Sequence, residues 1–200
     1  MNIPFEFVGG NPSLDLVNTR MHRGADGGPD DLLETPGALR AWLGAAGLLS
    51  SEEVAKLDPE LTLFSARRLR GALETLYFGL ALGQADSALE ERSLGTLNSL
   101  LEGGVERTRL ERTAQGFERV TRFEALGPFD PTLNLARGAA DFLQGLEPGR
   151  LKQCQGQGCD LLFYDETRNL SKRWCSMEGC GNRDKQARYR QRTYARTVKP

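Results

Sequence analysis

Along the first 150 residues, apolar side chains return every three or four positions, the spacing of helices that lay one face on a core. The clearest run is Ala66, Leu69, Leu73, Leu76, Tyr77 and Leu80, with Arg67, Arg68, Arg70 and Glu74 assigned to the opposite face. Shorter helices are expected at residues 14–20, 36–46, 51–57 and 85–101, with Pro36 suited to a first helical turn, where its missing N–H costs nothing. The pattern changes between Val105 and Phe123. There "VERTRLERTAQGFERVTRF" is rich in Thr, Arg and aromatic residues around a Gln-Gly turn, which predicts a β-hairpin. Pro128 and Pro131 bracket the entry to a further helix at about 132–146, and "EPGR" at 147–150 reads as a linker. The stretch "GADGGPDD" at 24–31 reads as a polar loop.

Composition narrows the class. With 200 residues and 39% hydrophobic content, the chain can form one domain, or a medium domain and a small one, around a packed core. No stretch approaches the eighteen or so apolar residues of a membrane helix, and "MNIPFEFVGGN" lacks the basic start and apolar core of an export signal. The expected compartment is the cytoplasm, with no membrane partner.

The net charge of −1 conceals a separation of sign. Residues 150–200 carry 12 Lys/Arg against 5 Asp/Glu, a net +7, whereas residues 1–149 carry 14 against 22, a net −8. A basic appendage on an acidic body is what a chain shows when one part meets a polyanion, and equally what a solvated charged tail shows.

All four cysteines fall in that basic part, as Cys154 and Cys159 in "CQGQGC" and Cys175 and Cys180 in "CSMEGC". Four residues separate the members of each pair, and fifteen separate the pairs. Two such loops, with Gly156, Gly158 and Gly179 to let the chain bend, suit a tetrahedral zinc ion held by four thiolates. Disulfides belong to exported chains. A catalytic thiol needs a base, and the single histidine, His22, lies far away in sequence. About fifty residues seldom hold a sufficient core unaided, and one structural zinc per chain supplies the missing stability. Leu161, Leu162, Phe163, Tyr164 and Trp174 are read as the apolar cluster beside the metal.

After the last cysteine, "DKQARYRQRTYAR" has good helix formers and neither Gly nor Pro, with Asn182 at the expected cap. Lys185, Arg188, Arg192 and Arg196 share one face of that helix, with Tyr189 beside them and Arg183 and Arg190 flanking. A cationic helix aimed by a metal module suits the major groove or the phosphates of DNA.

The string "LLFYDETRNLSKRWCSMEGCGNRDKQARYRQR" resembles the CGNR zinc finger family: the Phe-Tyr-Asp step, the Arg-Asn pair, the Arg-Trp-Cys-Ser-Met stretch and the Cys-Gly-Asn-Arg-x-Lys corner are all present. The resemblance implies a bacterial transcription regulator that binds DNA through this finger. It places Cys154, Cys159, Cys175 and Cys180 in the ligand positions. "FEFVGGNPSLDLVNTR" resembles the opening of the ABATE domain, with Gly9, Gly10, Leu14 to Leu16, Asn18 and Thr19 in its motif, and implies a stress-responsive regulatory domain ahead of the finger.

The expected fold is therefore α+β: a mainly helical N-terminal domain with a β-hairpin at residues 1–147, then a four-cysteine finger at 150–200 ending in a basic helix. The expected partner is double-stranded DNA, contacted by Arg173, Arg183, Lys185, Arg188, Tyr189, Arg192 and Arg196. Two further expectations are an effector at the N-terminal domain, where Asp15, Asn18 and Arg20 form a candidate ligand pocket, and a homodimer, since a single recognition helix gains specificity by pairing. No serine elbow, phosphate loop or placed histidine points to an enzyme. The rival reading keeps the zinc and docks the basic helix on an acidic protein surface.

Overall fold

The computed structural model describes residues 5–20, 31–84, 86–128 and 130–197. The expected loop at 24–31, apart from Asp31, and His22 lie outside them. In chain order the elements are α1 (Pro12–Asn18), α2 (Pro36–Ala45), α3 (Ser51–Ala55), α4 (Pro59–Leu82), α5 (Ser87–Leu101), β1 (Gly104–Thr113), β2 (Gly116–Ala125), α6 (Pro131–Gln144), β3 (Leu151–Gln153), β4 (Leu162–Tyr164), one π-helical turn (Met177–Gly181) and α7 (Asn182–Thr197). The architecture is α+β, as the residue pattern predicts.

The helix starts follow from short polar side chains that satisfy orphan N–H groups. Asn11 caps α1, Thr35 caps α2, and Asp58, Asp86 and Asp130 cap α4, α5 and α6. Ser50 and Glu53 form a reciprocal capping box at α3. Proline opens α1, α2, α4 and α6. Helix α4 stops at Gly83, whose φ of 64° lies in the left-handed region that glycine enters without strain.

At 24 residues, α4 is the axis of the body, with α1, α2, α5, α6 and β3 packed against it. Its Leu63, Ala66, Leu69, Leu73 and Tyr77 meet Leu14, Leu16 and Val17 of α1, Leu39, Trp42 and Leu43 of α2, Leu97 of α5 and Leu135, Ala136 and Ala139 of α6 in one core. Each fully buried leucine contributes roughly 1.5–3 kcal/mol. The Tyr77 ring meets Phe142 edge-on, Phe142 meets Tyr164 in the same way, and the Tyr77 hydroxyl lies 2.6 Å from Ser13 Oγ.

Two assignments on α4 are corrected. Leu80, expected in the stripe, is 48% exposed, because the last turn of α4 overhangs its partners. Arg70, expected on the solvent face, is buried, since positions 66, 70, 73 and 77 fall on one side of a helix. Its guanidinium grips Asp31 with two bonds of 2.7 and 2.6 Å and donates to Thr19 Oγ1 at 2.9 Å.

Strands β1 and β2 pair from Gly104↔Ala125 to Thr113↔Gly116, leaving Ala114 and Gln115 as the loop. The expected Gln-Gly turn is there, and Gly116 takes a φ of 133°. Strands β3 and β4 form a second, shorter hairpin, Leu151↔Tyr164 to Gln153↔Leu162. Strand alternation gives that hairpin two faces. Leu151 and Leu162 join the helical core with Tyr164 packed against it, while Leu161 and Phe163 pack with the four cysteines. The reading of Leu162 and Tyr164 as part of the metal cluster is corrected accordingly.

Candidate metal centre and basic helix

The β3–β4 hairpin presents the first cysteine pair. Cys154 follows β3 and Cys159 precedes β4, and Cys154 N–H donates to Leu161 O across the hairpin. Gly158, with a φ of 68°, turns the loop between them. Gly156 answers to crowding instead: a Cβ there would lie 2.9 Å from the Cys180 Cβ and 3.0 Å from its sulfur. Any side chain at 156 would push the second cysteine pair away.

Cys175 and Cys180 bound the segment that enters the last helix. Ser176 Oγ accepts from Gly179 N–H at 3.0 Å, so the cap belongs to Ser176. Asn182, expected as the cap, is already helical, and its side-chain amide donates to Glu178 O at 3.2 Å. The helix therefore begins a turn earlier than the polar pattern suggests, inside the metal loop, through the π-helical turn.

All four cysteines are buried and free of disulfides, and their sulfurs lie within 4.8 Å of one another. Cys159 and Cys175 sulfurs are 3.9 Å apart and Cys175 and Cys180 sulfurs 3.6 Å. A tetrahedral zinc with bonds of about 2.3 Å needs sulfurs roughly 3.8 Å apart, so the donor set fits. One structural zinc is held here. Bonds from the Cys159 and Cys175 thiols, then from the Cys175 and Gly156 N–H groups, hold Cys154 well below the ordinary thiol range. Cys175 is pushed up to about 12, chiefly by Cys154, and Cys159 is pushed up by the same neighbour. Crowded sulfurs resist ionising together, and a divalent cation removes that conflict.

Two residues of the family motif, Arg183 and Asp165, support this centre in roles that the sequence reading did not assign them. Arg183 Nη2 donates to the Cys180 sulfur at 3.0 Å, placing a cation against the anionic shell and accounting for the arginine three residues after the last cysteine. Asp165, fully buried, accepts from Lys152 Nζ at 2.6 Å, Thr167 N–H at 2.9 Å and Lys172 N–H at 3.0 Å. Burial alone would raise its pKa, but the Lys152, Thr167 and Lys172 bonds hold it well below the carboxylate range. The Asp-x-Thr spacing at 165–167 was the available signal, a side chain bonding backbone two residues on.

Helix α7 projects from the metal centre. Residues 182–193 are exposed apart from half-buried Asp184, and the main contact of the helix among the described residues is with the π-helical turn. Lys185, Arg188, Tyr189 and Arg192 are exposed there. Arg188 also pairs with Asp184 at 2.9 Å, a bridge whose arginine is exposed and which other anions can displace. Arg173 lies off the helix, stacked on Trp174 at 5.2 Å and bonded to Gln155. Arg196 is helical, but its side chain is outside the described residues.

Among the described residues, Asp15 and Asn18 are buried and bonded within the protein, while Arg20 lies apart from them at the surface. Asn18 makes two bonds of 2.9 Å to Leu162, donating to its carbonyl and accepting from its N–H. Asp15 accepts from Gly9 N–H at 2.8 Å, and Gly9 O accepts from Tyr164 N–H at 2.8 Å. These residues form a clamp that fastens β4, and through it the metal loop, to α1. A Cβ at Gly9 would fall 2.7 Å from that of Leu14, which accounts for the glycine. Arg20 instead pairs with Glu74 on the rim of an open groove between α4 and α5 of about 520 Å³.

Burial raises the Asp15 carboxyl to about 6, partly offset by the Gly9 and Val8 N–H groups. The folded state thus holds that proton more tightly than the unfolded chain. The stabilisation is complete below about pH 4 and lost as the pH rises through about 6, up to ~3 kcal/mol. Asp15→Asn keeps an acceptor for the Gly9 N–H and removes this dependence. Thermal melts of both proteins at pH 4.5 and 7.5 should show a smaller loss in the variant.

Among known families, the CGNR zinc finger matches residues 150–193. The ABATE family, described as "Putative stress-induced transcription regulator", matches residues 10–146. No curated protein matches the chain. No helix among the described residues is long and apolar enough to cross a membrane. The ABATE match covers more than half of the sequence, and the finger match encloses all four gathered cysteines: the chain belongs to the ABATE family and carries a CGNR zinc finger.

Proposed function

We propose that the chain is a cytoplasmic transcription regulator that reads double-stranded DNA with α7, zinc holding that helix at a fixed angle to the body. The observation that carries this reading is a helix that buries no face over its described side chains, 182–193. Over residues 182–193, five Lys and Arg accompany a single acid, Asp184, and no apolar stripe packs on the body. A helix polar all round gains little from its own fold and is built to meet something else. Its charge and its rigid mounting suit a phosphate-lined groove.

The body supplies the control. Because Asn18 bonds directly to Leu162 and Tyr164 packs on Phe142, a change in the position of α1 or α6 shifts the hairpin that bears Cys154 and Cys159. An effector or stress signal that moves α1 therefore reaches α7 through packed side chains and a hydrogen-bonded clamp. Four cysteines close the zinc shell and leave no open position for a substrate, so the metal is structural and the protein acts by binding.

The test is an Arg188→Ala, Arg192→Ala variant titrated with duplex DNA at several salt concentrations. Each lost phosphate contact should flatten the slope of log affinity against log salt by roughly 0.9, so the variant should lose about two of its units. An unchanged slope removes α7 from the interface, and selective capture of an acidic protein through these arginines moves the reading to protein docking.

A further inference from the structure

The hairpin of β1 and β2 is the least explained part of the body. Its strands run ten residues each, about 33 Å, and among the described residues they meet the helices at the base, through Gly104 beside Leu133, Glu106 paired with Arg137 and Phe123 under the Arg137 guanidinium. An unsupported two-stranded ribbon is marginal in water, and among the described residues no further strand pairs with either outer edge. Phe117 and Leu110, near the tip, are 68% and 70% exposed.

The cross-strand charges are also in conflict. Glu118 stands opposite Glu111, and Arg122 opposite Arg107, like-signed pairs that destabilise a ribbon. Diagonal bridges, Arg122 to Glu111 and Arg107 to Glu124, each 3.0 Å, relieve part of this.

We propose that a second copy of the chain adds its β2 strand antiparallel to β2, about a twofold axis at Val120, forming a four-stranded sheet that joins two bodies. A twofold axis normal to the sheet keeps each side chain on its own face, and directly opposed residues share a face, so two copies of one strand pair residues of the same parity and the axis passes between a residue and its own copy. Centring on Arg119 would set Arg119 against itself. Centring on Thr121 would oppose Glu118 to Glu124. Centring on Val120 places Glu118 against the partner's Arg122 twice, Phe117 against the partner's Phe123 twice, and Val120 against itself. The best register of β1 also makes ion pairs, Glu106 with Arg112 and Arg107 with Glu111, but it sets Arg109 against Arg109 on the axis. The β2 edge is therefore the self-complementary one, an isologous interface in which each glutamate gains the counter-charge its own ribbon does not place opposite it. The strands run in opposite directions, so the bodies lie at opposite ends of the new sheet. This assembly stands whether or not α7 reads DNA.

Sedimentation velocity of the full zinc-loaded chain over a concentration series tests it. The expected result is a dimer. Glu118→Arg and Arg122→Glu should each raise the dissociation constant about tenfold or more by creating two like-charge pairs, and the double swap should restore the dimer. Far-ultraviolet circular dichroism checks that each variant folds. A monomer at all concentrations, or a dimer indifferent to both single variants, would overturn the proposal. So would ribbon variants that weaken duplex binding in a protein that stays monomeric, which would make the ribbon a nucleic-acid contact.

Discussion

Cys175→Ser is expected to destabilise the whole protein, and not the finger alone. Losing one ligand forfeits much of the roughly 10–16 kcal/mol by which zinc stabilises a finger of this kind. The loss spreads because the β3–β4 hairpin is shared: Leu151 and Leu162 are buried in the helical core, and the same strands lead to Cys154 and Cys159. Releasing the metal loop frees Phe163 and Leu161 and loosens the clamp between Asn18 and Leu162. A loss of about 5 kcal/mol passed to the body would lower its melting temperature by roughly 10 to 20 °C for a chain of this length. Differential scanning calorimetry should show a single transition displaced downward, and chelation of the wild type should reproduce it. Two separate transitions, with the body's unmoved, would show that residues 1–147 and 150–200 are independent units.

The second large effect is expected at Arg70. The Arg70–Asp31 pair buries Arg70 and half-buries Asp31, with side-chain exposures of 4% and 23%, and its bonds outweigh the cost of desolvating Asp31, holding that carboxyl below its ordinary range. Arg70→Ala leaves Asp31 and Thr19 Oγ1 without their cation and opens a hole beside Leu69 and Leu73. Breaking a buried pair from one side costs about 3–5 kcal/mol. Chemical denaturation should report that loss, whereas pairing Arg70→Met with Asp31→Leu should recover part of it. The depressed Asp31 pKa carries a sign: its stabilisation is present above about pH 4 and is lost as the pH falls through the lower folded value. The difference between wild type and Arg70→Ala should therefore narrow in acid.

Arg70 also shows where sequence pattern stops. Its charge placed it with Arg67 and Arg68, although the spacing 66, 70, 73, 77 put it on the core side, and only Asp31, 39 residues away, makes that tolerable. The helix caps at Asn11, Thr35, Ser50 and Asp58 act within three residues of themselves and were open to local reading. The four cysteines were legible for the same reason: their chemistry is singular and their spacing regular. The clamp was not, because Asn18 and Leu162 are 144 positions apart and nothing local marks an asparagine that will pair with a distant strand. The opposed faces of β4 were equally hidden, since alternation tells that Phe163 and Leu162 diverge but not what waits on either side. Asn182 misled because the start of α7 is set by Ser176 inside the metal loop, a departure from ordinary helix geometry that a capping pattern does not contain.

The central claim is that zinc fixes α7 as a reader of duplex DNA, and the most direct measurement is fluorescence anisotropy of a labelled duplex against the zinc-loaded chain across a salt series, with metal content assayed on the same samples. About five phosphate contacts predict a slope near −4.5 in log affinity against log salt, with one zinc per chain. A chain carrying its full zinc that leaves the duplex unbound even at low salt would contradict the account.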